Sequence, residues 1–236
     1  MKELWEQEAR DWVAWSREPG HDSYWRYSPL FFELVPPPGR RTLDLCCGEG
    51  RLARDLAARG HRVVGLDASP TLLEFAREAD PEGDYVLGDA TALPFEDASF
   101  DLVVVYNALM DVEDMAGAVA EAARVLAPEG RLCVSLVHPL AYVGRFDGDE
   151  PDSPFVFRRP YFDRHQTHER FERGGLGMTF HSHIRPLEDY MRALEETGFV
   201  LDALREPADP GDDEQWKRLP NFLYLRAVLP PTVTVR

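Results

Sequence analysis

The chain has 236 residues, enough for one well-buried α/β domain with a cap or insertion and too few for two full domains. Its 42 Asp and Glu against 26 Lys and Arg give a formal net charge of −16, which argues against nucleic acid as a substrate and disfavours an anionic membrane surface. Cys46, Cys47 and Cys133 make neither a disulfide framework nor a zinc pattern. The opening MKELWEQEARDWVAW lacks the apolar core of a signal peptide, and no run approaches the roughly 18 apolar residues of a membrane span. A cytoplasmic location is expected.

Along the chain, Leu4 to Trp15 predicts a short amphipathic helix, followed by an aromatic-rich segment that ends at Pro36–Gly39. Residues 1–38 are therefore expected to form an N-terminal cap. From Arg41 the pattern alternates: strand TLDLC, helix Gly50–Arg59, strand RVVGLD, helix Pro70–Glu78, strands DYVLGD and FDLVVVYN, helix Met115–Leu126 and strand RLCVSLVH. Such alternation predicts a doubly wound, mostly parallel sheet covered on both faces. From Pro139 the chain turns polar and dense in Arg, His and aromatics, which predicts an insertion over the binding cleft, residues 139–182. The remainder, 183–236, is expected to complete the sheet, with TFHSHIR reading as a returning core strand, then helix Leu187–Thr197 and strands FVLDALRE and FLYLRAVL. The whole is expected to be one domain around a core at 39–138.

The chemistry concentrates in TLDLCCGEGRLARDLAARG. A strand ends in Asp44, enters a turn holding Gly48 and Gly50, and continues into a helix, while Asp67 closes the next strand at about the 20-residue spacing that a ribose-binding acid requires. In a doubly wound sheet the ligand lies beyond the carboxyl ends of the strands, where Asp44, Asp67, Asp89 and Asn107 should all project. The glycines let backbone N–H groups approach an anion at a helix N-terminus.

Four segments in register, LDLCCGEG, VVGLDASP, GDATALPFEDASFDLVVV and VLAPEGRLCVSLVHP, resemble the class I S-adenosylmethionine-dependent methyltransferases, most closely their small-molecule branch. The resemblance implies a seven-stranded Rossmann-like sheet whose last strand is inserted antiparallel, with S-adenosyl-L-methionine as cofactor and a small molecule as methyl acceptor. It implies that Asp44 lies by the methionyl ammonium and that Asp67 accepts both ribose hydroxyls with Ala68 beside the adenine. Asp89 and Ala90 would hold the adenine, and Asn107 would offer its backbone to the methionyl end. Cys46 stands where many members carry glycine, and it is expected to keep a negative φ.

Gly48, Gly50 and Ala53 also satisfy a dinucleotide fingerprint, so an NAD-dependent oxidoreductase is the rival reading, and a cofactor-binding module without turnover is a third. Asp44 weighs against a pyrophosphate, which it would repel. His138 follows the fifth strand and is the candidate general base. Tyr24, Tyr27 and His183 are candidate substrate-lining residues. Neither His165 with His168 nor His181 with His183 follows the H-E-x-x-H pattern, and no metal is expected. The acceptor's identity and the oligomeric state are not legible.

Overall fold

The computed structural model describes residues 1–231. Two helices, α1 (Lys2–Arg17) and α2 (Tyr24–Phe32), precede an alternating core: β1 (Thr42–Leu45), α3 (Arg51–Ala58), β2 (Val63–Asp67), α4 (Pro70–Ala79), β3 (Asp84–Leu87), β4 (Phe100–Tyr106), a 3-10 turn at Leu109–Asp111, α5 (Met115–Val125) and β5 (Leu126–Val137). Local chemistry starts the helices. Ser69 accepts the Leu72 N–H at 3.0 Å with Pro70 behind it, and Asp114 accepts the Gly117 N–H at 2.9 Å.

After β5 come a short α6 (Pro139–Val143), the hairpin β6 (Gly144–Phe146) and β7 (Phe155–Phe157), and a longer hairpin of β8 (His165–Arg173) and β9 (Leu176–Ile184). Then α7 (Leu187–Glu196), β10 (Val200–Arg205) and β11 (Phe222–Val228) finish the fold. The seven-stranded sheet runs β10-β11-β5-β4-β1-β2-β3, with β11 antiparallel to both its neighbours and the other pairs parallel. This is the doubly wound, Rossmann-like methyltransferase sheet, its last strand inserted antiparallel.

Both faces are covered, so β1 is buried at every position. On one face Leu43, Val103 and Leu223 meet Ala118 and Ala122 of α5 and Leu194 of α7. On the other, Leu102, Val104 and Cys133 meet Leu52 and Leu56 of α3 and Tyr27 and Phe31 of α2.

Two expectations change. TFHSHIR does not rejoin the sheet: it belongs to β9, which pairs only with β8 in register His168 with His181, so the sheet resumes beyond the expected boundary at 183, with α7 and β10. The aromatic segment after α1 is helical from Tyr24 and packs on the sheet, leaving Tyr27 and Phe31 at 0% exposure. Helix α1 is the true cover. Its Ala9 and Val13 pack on Leu72 of α4, and Trp12 and Trp15 meet the Phe180 ring of β9 edge-on at 6.0 and 6.2 Å.

Candidate active site

The carboxyl ends of β1, β2, β3 and β4 open into one cavity of about 720 Å³, within the usual range for a small-molecule site. Asp44, Cys46, Gly48, Asp67, Ala68, Asp89, Ala90 and Asn107, all expected from the sequence, line it.

Asp44 is buried, and its Oδ2 has no hydrogen-bond partner among the described residues. Burial, reinforced by the charge of Asp67, pushes its carboxyl up to about 8. Asp67 holds the glycine turn against the end of β2: its Oδ2 accepts the Gly48 N–H at 2.8 Å and its Oδ1 the Ser69 N–H at 2.9 Å. Burial raises its pKa while those donors pull it back. With one backbone donor on each oxygen, each keeps a lone pair for a ligand hydroxyl. Asp89 takes the Thr91 N–H and hydroxyl on Oδ1 at 3.0 and 2.9 Å, while Oδ2 receives the Lys2 ammonium. The lysine and these donors hold its carboxyl below its ordinary value.

Two turn residues carry left-handed backbones. Asn107 has φ 49° and is fixed by its N–H to the Ser135 carbonyl at 2.8 Å and by the Ser135 hydroxyl on its Oδ1 at 2.6 Å; asparagine tolerates this conformation. Cys46 has φ 61°, not the negative value expected, so the cysteine occupies a glycine-like conformation at some steric cost. Gly50, at φ 79°, does not line the cavity. It caps α3, and an added Cβ would fall 2.7 Å from the Tyr85 hydroxyl.

Three other expectations are corrected. His138 is buried off the cavity wall: Nδ1 accepts the Leu140 N–H at 3.1 Å, capping α6, and Nε2 meets Glu206 at 3.0 Å. Desolvation lowers its pKa against the pull of Glu206, and with both nitrogens engaged it has none left for an acceptor. Tyr27 lies in the core with its hydroxyl on buried Asp209 at 2.7 Å. His183 sits on β9 away from the wall. Tyr24 does line the cavity, its hydroxyl given to Asp55 at 2.6 Å.

The described residues 139–182 contribute no wall residue; the cover comes from Lys2, Trp5 and Trp12 of α1, residues that the sequence reading did not single out for the site. The seven-residue spacing of the two tryptophans, one face of a helix, was the available signal. Asp111 on the wall was also missed, although an acid four residues past the strand-end Asn107 was visible. His168 and His181 meet Nδ1 to Nδ1 at 2.7 Å, and among the described residues no group of three or more His, Cys, Asp or Glu is arranged to hold a metal.

Residues 43–134 match the family model described as a methyltransferase domain. Over 103 residues the chain is 42% identical to a demethylmenaquinone methyltransferase of Renibacterium salmoninarum, covering 43% of this chain and 44% of that one. Over 99 residues it is 44% identical to an uncharacterised methyltransferase of Mycobacterium tuberculosis, covering 42% and 40%. The chain thus spans less than half the length of these curated relatives. A crystal structure of an S-adenosylmethionine-dependent methyltransferase from Mesorhizobium loti superposes with a TM-score of 0.70 at 27% identity, over 86% of this chain and 97% of that one. Sheet order, glycine turn and strand-end acids define a class I methyltransferase fold. Residues 43–134 thus form a methyltransferase domain, and the chain is similar to S-adenosylmethionine-dependent methyltransferases in fold and in the order of its strand-end motifs.

Proposed function

We propose that the protein is a cytoplasmic enzyme that transfers the methyl group of S-adenosylmethionine to an O, N or C nucleophile of a small molecule. The observation that carries this reading is Asp44, a buried carboxylate with an unpartnered oxygen on the wall of a cavity that also holds Asp67 and Asp89. Ionised there, it calls for a cation, and an amino-acid ammonium supplies one. The free lone pairs of Asp67 suit the two ribose hydroxyls, with Ala68 beside the adenine. Asp89 and Ala90 suit the adenine edge, and the fixed turn at Asn107 suits the methionyl end. A dinucleotide pyrophosphate would set negative charge against Asp44.

When bound, the cofactor supplies a methyl group already activated on a sulfonium. The chain's contribution is to align the nucleophile and exclude water, and Trp5 and Trp12 of α1 suit that second task. Relatives named demethylmenaquinone methyltransferases support a hydroquinone-like ring as acceptor. The net charge of −16 supports a small molecule over nucleic acid, and free Cys46, Cys47 and Cys133 suit a reducing compartment. In this reading the chain acts as one domain over 1–236, of which 232–236 lie outside the described residues, with the 139–182 insertion bracing α1.

Calorimetric titration with S-adenosylhomocysteine and with NADH tests the reading. The thioether should bind and NADH should not; tight NADH binding without the thioether would overturn it. Labelled S-adenosylmethionine offered with reduced naphthoquinols, phenols and amines then identifies the acceptor class.

A further inference from the structure

Asp111 ends the 3-10 turn that follows Asn107, and its side chain stands on the cavity wall. Its Oδ1 accepts the Ser182 hydroxyl of β9 at 2.7 Å. Through this bond the insertion, which gives the wall no residue of its own, reaches the site. Arg185, the cation whose charge Asp111 feels, spends its guanidinium on the carbonyls of Met110, Val112 and Glu113 at 3.4, 2.9 and 2.8 Å. Among the described residues no salt bridge neutralises Asp111. Tyr142 and Tyr190 lie within reach of its charge, which adds to burial in raising both phenols, and Cys46 of the glycine turn feels it too. Burial pushes the Asp111 carboxyl up to about 8, against the pull of Ser182 and Arg185.

A carboxylate on a cavity wall, hydrogen-bonded at one oxygen and in no salt bridge, is placed to receive a proton. We propose that Asp111 is the proton acceptor for the methyl-accepting nucleophile, that its Oδ2 marks the acceptor end of the cavity, and that the nucleophile is an aromatic hydroxyl. The inference rests on the methyltransferase reading and adds the residue and substrate class. A hydroxyl, unlike a neutral amine, gains from losing its proton as it attacks, and Trp12 and Tyr106, which also line the cavity, suit a flat ring. In the step an oxygen–carbon bond forms and the sulfonium carbon–sulfur bond breaks with its electron pair returning to sulfur. The proton leaves the hydroxyl for Asp111.

The test uses the wild type, Asp111→Asn and Ser182→Ala, each loaded with S-adenosylhomocysteine and titrated with 1,4-dihydroxynaphthalene under argon. Turnover of the same diol with labelled S-adenosylmethionine is then followed across the neutral and alkaline range. Asp111→Asn should bind the diol at least about tenfold more weakly and turn it over about 10²- to 10⁴-fold more slowly, with thioether affinity nearly unchanged. In the wild type kcat/KM should rise with pH through about 8, and Asp111→Asn should lose that limb. Ser182 donates to the charged carboxylate, so Ser182→Ala should move the limb to higher pH, a shift that a purely structural role would not produce. The shift also decides the matter if Asp111→Asn fails to fold. Wild-type affinity or an intact limb in Asp111→Asn overturns the inference, as does a loaded wild type that does not bind the diol or an unmoved limb in Ser182→Ala. A wild type that does not bind the thioether overturns the cofactor reading itself.

Discussion

Lys2, in the first turn of α1, forms an ion pair with Asp89 beyond β3, tying the cover helix to the rim of the cavity. The pair is solvent-accessible, with the lysine side chain 62% and the aspartate 34% exposed, so it contributes about 1 kcal/mol or less. In the proposed cofactor pose it shares an oxygen of Asp89 with the adenine edge. The pair thus works as a weak latch between the cover helix and the rim.

Lys2→Ala should accordingly speed both association and dissociation of S-adenosylhomocysteine while shifting thermal stability little. Stopped-flow tryptophan fluorescence reads both rates, because Trp5 and Trp12 line the cavity. Rates equal to the wild type would show that α1 opens without breaking this contact.

Asp67→Asn should weaken cofactor binding by about 10- to 100-fold, the equivalent of a lost charge-assisted hydrogen bond at roughly 1.5–3 kcal/mol. It should also lower stability. The Gly48 and Ser69 N–H groups point at opposite oxygens, and an amide can serve only one of them as acceptor. Thermal denaturation without ligand separates the two effects.

Asp44 predicts a pH signature. Its folded pKa of about 8 lies above the ordinary 3.8, so between those values the folded state holds a proton that the unfolded state lacks. Its contribution to stability is therefore complete at acid pH and is lost as pH rises through about 8. Asp44→Asn should raise the Tm of the ligand-free protein more at alkaline than at acid pH. Cofactor binding to the wild type at neutral pH should release protons, seen as an enthalpy that varies with buffer ionisation heat, and Asp44→Asn should abolish that release.

His138→Ala should lower stability by about 1 kcal/mol through loss of the α6 cap, with turnover per folded molecule preserved. His138→Asn, which keeps a capping oxygen, should recover most of the loss. A collapse of turnover with unchanged Tm would restore the histidine to catalysis.

The strand-end wall of the cavity was legible because β1 and β2 are apolar runs that close at or beside an acid, and Asp89 follows the next strand in the same way. Asp44, Asp67 and Asp89 thus announced their own positions. Backbone conformation was less legible: nothing in the letters LCCGEG says that Cys46 takes φ 61° while an Asp67–Gly48 bond fixes the turn. Contacts at long sequence range were not legible at all. Placing His138 next to a strand end suggested a base, but the loop returning at Glu206 claims its second nitrogen. Likewise TFHSHIR alternates like a sheet strand, and only the competing partner β8 decides that it forms a hairpin instead.

The packing of α1 on β9 also bears on biogenesis. The helix is complete once Arg17 has been added, yet Phe180 and His181, against which Trp12, Trp15 and Trp5 rest, are joined to the chain far later. At about 5–20 residues per second, a ribosome leaves that aromatic face without this partner for on the order of ten seconds. During that interval α4, synthesised earlier, is the partner within reach, through Leu72 against Ala9 and Val13. The nascent chain can thus set out the acids of β1, β2 and β3 before the tryptophan cover is seated. That cover gains its aromatic support only when a hairpin that lines none of the cavity has been made.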